Sequence, residues 1–179
     1  MRVQIIGHSQ VPYIEDFDDV EVLIYSRGGA KIHEFWEDEY LSSSLNNDVD
    51  LTILFVGGND VFDIDDDYDL ANEIWDLARG YKENAKAVRV CNLEPRNYRV
   101  NRVRRRRERA QEYDDRSKHI NSLLKRWSER NRWFKLVNLK HVQFQDYAED
   151  GVHFTPLQQS QLIDRFINTI YKVKDQLRL

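Results

Sequence analysis

The chain has 179 residues, 41% of them hydrophobic, and a formal net charge of −4, which is length enough for one good core and predicts a single domain over residues 1–179. Its one cysteine, Cys91 in the apolar run VRVCNL, excludes an intrachain disulfide and gives no sign of an oxidising compartment. The opening MRVQIIG is too short and too alternating for a signal peptide, and no apolar run approaches the roughly 18 residues that cross a bilayer, so a soluble cytoplasmic protein is the expectation.

Met1 stands only two residues before the first strand candidate, as in a domain cut from a longer protein. Short β-rich runs bounded by turn residues recur at Val3 to Ile6, Val20 to Tyr25, Leu51 to Val56, Ala87 to Cys91 and Phe134 to Val137. Between and after them lie helical patterns at Ala30 to Leu41, Leu70 to Tyr81, about Val103 to Asn131, and Pro156 to Lys174. In the last, Leu157, Leu162, Phe166, Ile167, Ile170 and Tyr171 fall near one helical face, with Pro156 suited to the first turn and Thr155 to the N-cap. Strands alternating with helices, and a run as continuously apolar as LTILFV, argue for an α/β three-layer domain around a mostly parallel sheet of about five strands. No internal repeat and no Gly/Ser linker divides it.

Charge is segregated along the chain. Residues 15–76 are rich in Asp and Glu, while Arg96, Arg99, Arg102, Arg104, Arg105, Arg106, Arg107 and Arg109 crowd one stretch. The acidic Asp63-Ile64-Asp65-Asp66-Asp67 reads as a solvated loop and helix start, and no metal site is expected there. Four consecutive arginines repel one another and, at a helix N-terminus, oppose the macrodipole. They read either as a solvated helix start answered by Glu108, Glu112, Asp114 and Asp115, or as a contact for phosphates of nucleic acid or of an anionic membrane. Tyr98 and Tyr113 flank the run and suit either base stacking or anchorage to the core.

In open α/β sheets ligands collect at the loops leaving the carboxyl ends of the strands. The first strand empties into Gly7-His8-Ser9-Gln10, the second into Ser26-Arg27-Gly28-Gly29 and the third into Gly57-Gly58-Asn59-Asp60, and Asp150-Gly151-Val152-His153-Phe154-Thr155-Pro156 precedes the last helix. A serine hydroxyl needs a base to become a nucleophile, and His153 suits that role. Asp150, three residues earlier, is in reach to hold the imidazole in one tautomer. The backbone N–H groups of Ser9 and Gly29 and the amide of Asn59 are candidate donors to an oxyanion. Each segment alone also reads as a turn: Ser9 as a cap or turn residue, Gly28-Gly29 as a tight turn, Asn59-Asp60 as side chains bonding their own backbone, and Asp150-Gly151 as a turn with His153 entering the helix. Their order at one sheet edge favours the joint reading.

These segments resemble the conserved blocks of the SGNH (GDSL-type) hydrolases, over nearly the whole chain, with GGND and DGVHFTP as the specific parts. The resemblance implies a flavodoxin-like fold and a serine esterase without cofactor or metal. It makes Ser9 the nucleophile and first oxyanion donor, Gly29 the second, Asn59 the third, His153 the base and Asp150 its partner. Its substrate would be a small ester, a lipid or an acylated sugar carrying a short acyl or acetyl group. His8 departs from the family's usual Gly-Asp-Ser, and reads as a surface or turn histidine or as a pH-sensitive element. The absence of a Gly-x-Ser-x-Gly elbow argues against the α/β-hydrolase fold. The Gly-His-Ser block, the Gly-Gly block and the Arg-rich stretch together are also similar to the esterase-like domains of some eukaryotic retrotransposons. The alternative to an enzyme is a catalytically weak module of the same fold that binds nucleic acid or anionic membrane through Arg99, Arg102, Arg104, Arg105, Arg106, Arg107 and Arg109. Tyr13, Phe35, Trp36 and Phe62 are candidates either for a substrate pocket or for the core, at least two of them for the core.

Overall fold

A computed structural model describes residues 1–95, 104–139, 146–148 and 152–179, and the side chains among these except those of 104–108. Asp150, Arg96, Tyr98, Arg99 and Arg102 therefore lie outside the described residues, and Arg104 to Arg107 are described by their helical backbone alone.

Five strands form one sheet, β1 (Arg2–Gly7), β2 (Glu21–Ser26), β3 (Val49–Phe55), β4 (Ala85–Cys91) and β5 (Phe134–Val137), in the order β2-β1-β3-β4-β5. Every pairing is parallel. This is the flavodoxin-like strand order, and its switch point lies between β1 and β3. Residues of β1, β3 and β4 are almost all buried because helices cover both faces, which is why apolar residues dominate them, as in the LTILF of β3. Register carries the exits to one level: Gly7 pairs with Ser26 on one side and with Phe55 on the other.

One face is covered by α1 (Glu34–Glu37), α2 (Glu39–Ser43), α3 (Asp67–Lys82) and α4 (Arg104–Arg130), whose core includes Ile32, Phe35, Leu70, Ile74 and Leu124. The other is covered by α5 (Pro156–Leu177) through Leu162, Phe166, Ile170 and Val173. The single helix expected over Ala30 to Leu41 is instead a turn and two short helices. Asp38 breaks it: its backbone is extended, and its side chain accepts the Leu41 N–H at 3.0 Å as the N-cap of α2. Of the face expected for α5, Leu157 and Tyr171 are exposed, at 69% and 37%. Leu157 sits in the first turn, beyond the part of the helix that lies on the sheet, and the Tyr171 hydroxyl reaches out to Asp18 at 2.5 Å.

The acidic stretch is a helix start. Asp66 caps α3 by accepting from the N–H groups of Tyr68 and Asp69 at 2.7 and 3.1 Å, and Asp67 meets Arg116 at 2.7 Å and His119 at 2.9 Å. Among the described residues no group of three potential metal ligands gathers, and no helix is long and apolar enough to cross a membrane. Phe35 is fully buried and Phe62 packs on the core, whereas Tyr13 and Trp36 are exposed. Tyr113 is a core residue, its ring 5.8 Å from that of Phe62, over which the Arg109 guanidinium also lies at 4.7 Å.

Candidate active site

Ser9 leaves β1 one residue beyond His8. The turn is tight because Gly7 presses on its neighbour strand: a Cβ there would lie 2.5 Å from the Phe55 carbonyl oxygen and 2.6 Å from the Val11 side chain. His8 is buried, with its ring 4.8 Å from that of Phe55, so it is not a surface histidine, but it does open the turn, its carbonyl accepting the Val11 N–H at 3.0 Å. The imidazole packs on Phe55 while Ser9 itself stays exposed.

His153 comes from the far end of the chain. Tyr147 and Phe154 form an antiparallel bridge, with Ala148 donating to the His153 carbonyl and Thr155 to that of Asp146, both at 2.8 Å. Thr155 then caps α5, accepting from Gln158, and Pro156 occupies the first turn, as the sequence predicts. This short ribbon, pinned to α5, delivers the imidazole to the serine, and Ser9 Oγ and His153 Nε2 are 3.0 Å apart. Gln10 adds a tie between the two loops by donating its amide to the Val152 carbonyl.

The second and third loops approach from the other side. Gly28 is close enough to Ser9 that a Cβ on it would sit 3.8 Å from the serine Cβ. Gly29 has φ +74, a left-handed conformation in which glycine is preferred. The loop is held below by Arg27, which pairs with Glu34 and Asp38. It is held above by two adjacent residues of the third loop. Asn59 Nδ2 donates to the Ala30 carbonyl at 3.0 Å, and Asp60 Oδ1 accepts the Ile32 N–H at 3.0 Å. The structure thus brings Ser9, the Gly28-Gly29 turn, Asn59 and His153 to one edge. Asp150 lies outside the described residues.

The sequence reads Asp60 as part of a turn, and the structure gives it more to do. It is 3% exposed, its second oxygen has no hydrogen-bond partner among the described residues, and burial pushes its pKa up to about 6. Nothing local in the sequence marks it, because the Ile32 N–H that it accepts lies 28 positions earlier in the chain.

The arrangement is that of acyl transfer: a hydroxyl beside an imidazole, facing a turn of small residues and an amide. The GDSL-like lipase/acylhydrolase family matches the chain over residues 13–166. No curated protein matches it in sequence. Among solved structures, it is similar to a lipolytic G-D-S-L family protein from Veillonella parvula, at 12% identity and a TM-score of 0.70, covering 93% of this chain and 96% of that one. A family 3 carbohydrate esterase from Clostridium thermocellum aligns at 16% identity and a TM-score of 0.64, with 98% of each chain covered. An acetylxylan esterase from Geobacillus stearothermophilus aligns at 15% identity and a TM-score of 0.58, covering 93% and 92%. At such identities these likenesses establish the shared fold, and the family match does not bear on the narrower resemblance to retrotransposon domains. With the fold and the match over most of its length, the chain belongs to the GDSL-like lipase/acylhydrolase family and is a serine hydrolase of the SGNH type.

Proposed function

We propose that the protein is a serine esterase that hydrolyses short-acyl, foremost acetyl, esters through an acyl-serine intermediate. The observation that carries this reading is the 3.0 Å approach of Ser9 Oγ to His153 Nε2. As the serine oxygen attacks the ester carbonyl, His153 Nε2 takes its proton, and the C–O bond to the alcohol breaks as that proton passes to the departing oxygen. Water then attacks the Ser9 ester with His153 again as base, releasing the carboxylic acid and restoring the hydroxyl. The negative oxygen of each tetrahedral intermediate is met by the Ser9 and Gly29 N–H groups and the Asn59 amide, and Asp150 orients His153. The donors cost little reorganisation because the loops that carry them are already tied to one another through Ala30 and Ile32.

Two structural neighbours are named as esterases of carbohydrate or acetylated xylan, which supports an acylated sugar as one class of substrate. The test is a fluorophosphonate probe followed by mass spectrometry of the modified peptide. The expected result is one adduct, on Ser9, lost in Ser9→Ala and in His153→Ala. An adduct elsewhere, or none in protein that melts cooperatively, overturns the reading.

A further inference from the structure

Beside the Ser9–His153 pair lies a small cavity of about 20 Å³. Its near walls come from the chain neighbours of the site residues: His8 and Gln10 flank Ser9, Gly58 precedes Asn59, and Val152 precedes His153. Its far wall is Leu93-Glu94-Pro95, the segment that leaves β4. A substituent on a carbonyl carbon held at Ser9 Oγ would have this hollow next to it, and the volume admits roughly one or two water-sized atoms.

Glu94 is the unusual wall. It is 8% exposed, and Asn92 Nδ2 donates to its Oε1 at 3.1 Å. Asn92 is itself fixed to the sheet edge, its Oδ1 accepting from Leu139 at 2.7 Å and its N–H donating to the Val137 carbonyl at 3.1 Å, so the carboxyl is held in one orientation. Among the described residues nothing hydrogen-bonds the second oxygen, Oε2. Burial raises the pKa of Glu94 to about 8. The titratable groups around it are His8, Tyr113 and Tyr147 on the cavity walls, Cys91 of β4, Arg165 of α5, and Asp114 and Lys118 of α4, which line a neighbouring cavity of about 150 Å³ that Glu94 also borders. Among the described residues none of these makes an ion pair with it.

We propose, building on the esterase reading above, that this cavity is the acyl side of the site and that Glu94 makes it selective for 2-hydroxyacyl esters, with hydroxyacetyl favoured over propionyl. The two acyl groups have the same number of heavy atoms, so size does not separate them. A terminal hydroxyl both donates and accepts, and it satisfies Oε2 in either protonation state of the carboxyl. A terminal methyl would displace solvent from Oε2 and offer no hydrogen bond in its place, and such sites reject the isostere that lacks the hydrogen bond far more strongly than apolar pockets reject an extra carbon. Longer acyl chains are excluded by volume.

The experiment measures kcat/KM on phenyl acetate, hydroxyacetate, propionate and butyrate, each divided by the rate of its hydroxide-catalysed hydrolysis to remove intrinsic reactivity. Wild type, Glu94→Gln and Glu94→Leu are compared, with melting temperatures. The hydroxyacetate-to-propionate ratio is expected to be about tenfold or more in wild type, to persist in Glu94→Gln, and to fall about tenfold or invert in Glu94→Leu. Butyrate is expected to be slower than propionate in all three. A wild-type ratio near one overturns the proposal, even where Glu94→Leu fails to fold, and so does a ratio that Glu94→Leu leaves unchanged. Phenyl acetate turned over no faster than by Ser9→Ala defeats the esterase reading itself, a result distinct from turnover without selectivity.

Discussion

The two faces of the sheet are unequal, and each holds a different part of the site. The face under α3 and α4 is the thicker, with Trp127, Trp133 and Phe134 packed around Trp75. It takes in Ala30, Ile32 and Val61, so the loops bearing Gly29 and Asn59 are anchored in that layer. The other face has one long helix, α5, and it takes in Tyr147 and Phe154, the two sides of the ribbon bearing His153. Ser9 stands at the exit of β1 between them. The lesson is that the proposed donors and the proposed base are held by separate cores, joined across the edge by the Ser9–His153 contact and by the Gln10 tie.

The largest expected effect ignores the division between layers. Ser9→Ala and His153→Ala should each lower turnover on phenyl acetate by about 10⁴-fold or more, and the double variant should cost little beyond either, because nucleophile and base act as a unit. Losses that multiply in the double variant would separate the two residues functionally. Next, Asn59→Ala should cost about a hundredfold or more in kcat, as for one oxyanion donor. Its amide also ties down Ala30, so the melting temperature must be measured alongside, and a stability loss that accounts for the rate would reassign Asn59 to the turn alone.

The comparison sharpens in the cores themselves. Phe166→Ala on the α5 side should cost about 3–5 kcal/mol and Ile74→Ala on the α3 side about 2–5 kcal/mol of stability. Hydrogen exchange then distinguishes the layers: Phe166→Ala should speed exchange around 152–177 and spare 59–82, and Ile74→Ala should do the reverse. Equal effects on both segments would mean that the domain has one indivisible core.

The smallest effect concerns Asp60 and pH. Its pKa rises from the ordinary 3.8 to about 6 on burial, so the folded state holds this proton more tightly than the unfolded chain. Stability from this group is therefore full below about pH 4, falls as pH rises towards 6, and levels off above, a span of about 3 kcal/mol. Glu94, whose pKa is pushed up to about 8, continues the decline at higher pH. Asp60→Asn keeps an acceptor for Ile32 and cannot ionise. Subtracting its stability profile from that of wild type should isolate the step between pH 4 and 6, and a flat difference would show that Asp60 is not desolvated.

Much of this was legible in the sequence because the relevant signals are local. Runs buried on both faces, such as LTILFV, are hard to mistake, and the polar turns after the first three strands have no reason to lie in the core. The break at Asp38 was not legible: Ile32, Phe35, Trp36 and Tyr40 keep a helical spacing across it, and the extended backbone is held by the salt link to Arg27 and the cap on Leu41. Trp36 illustrates the same limit. Its ring lies over α3 because Gly80 leaves room, where a Cβ would stand 2.4 Å from the indole. That partnership spans 44 positions by sequence number and has no periodic trace. Glu94 was also missed, since a lone glutamate after a strand looks like any solvent-facing charge until the cavity beside it is seen.

Cys91 has a practical consequence for spectroscopy. It is the only cysteine of the chain, it is buried in β4, and burial drives its thiol well above its ordinary pKa, so the thiolate that maleimides capture is scarce there. The native protein should therefore stay dark to thiol-reactive dyes. Tyr13, four positions after Ser9 and 75% exposed, is then a place where one introduced cysteine would carry a single fluorophore, with no background mutation needed elsewhere.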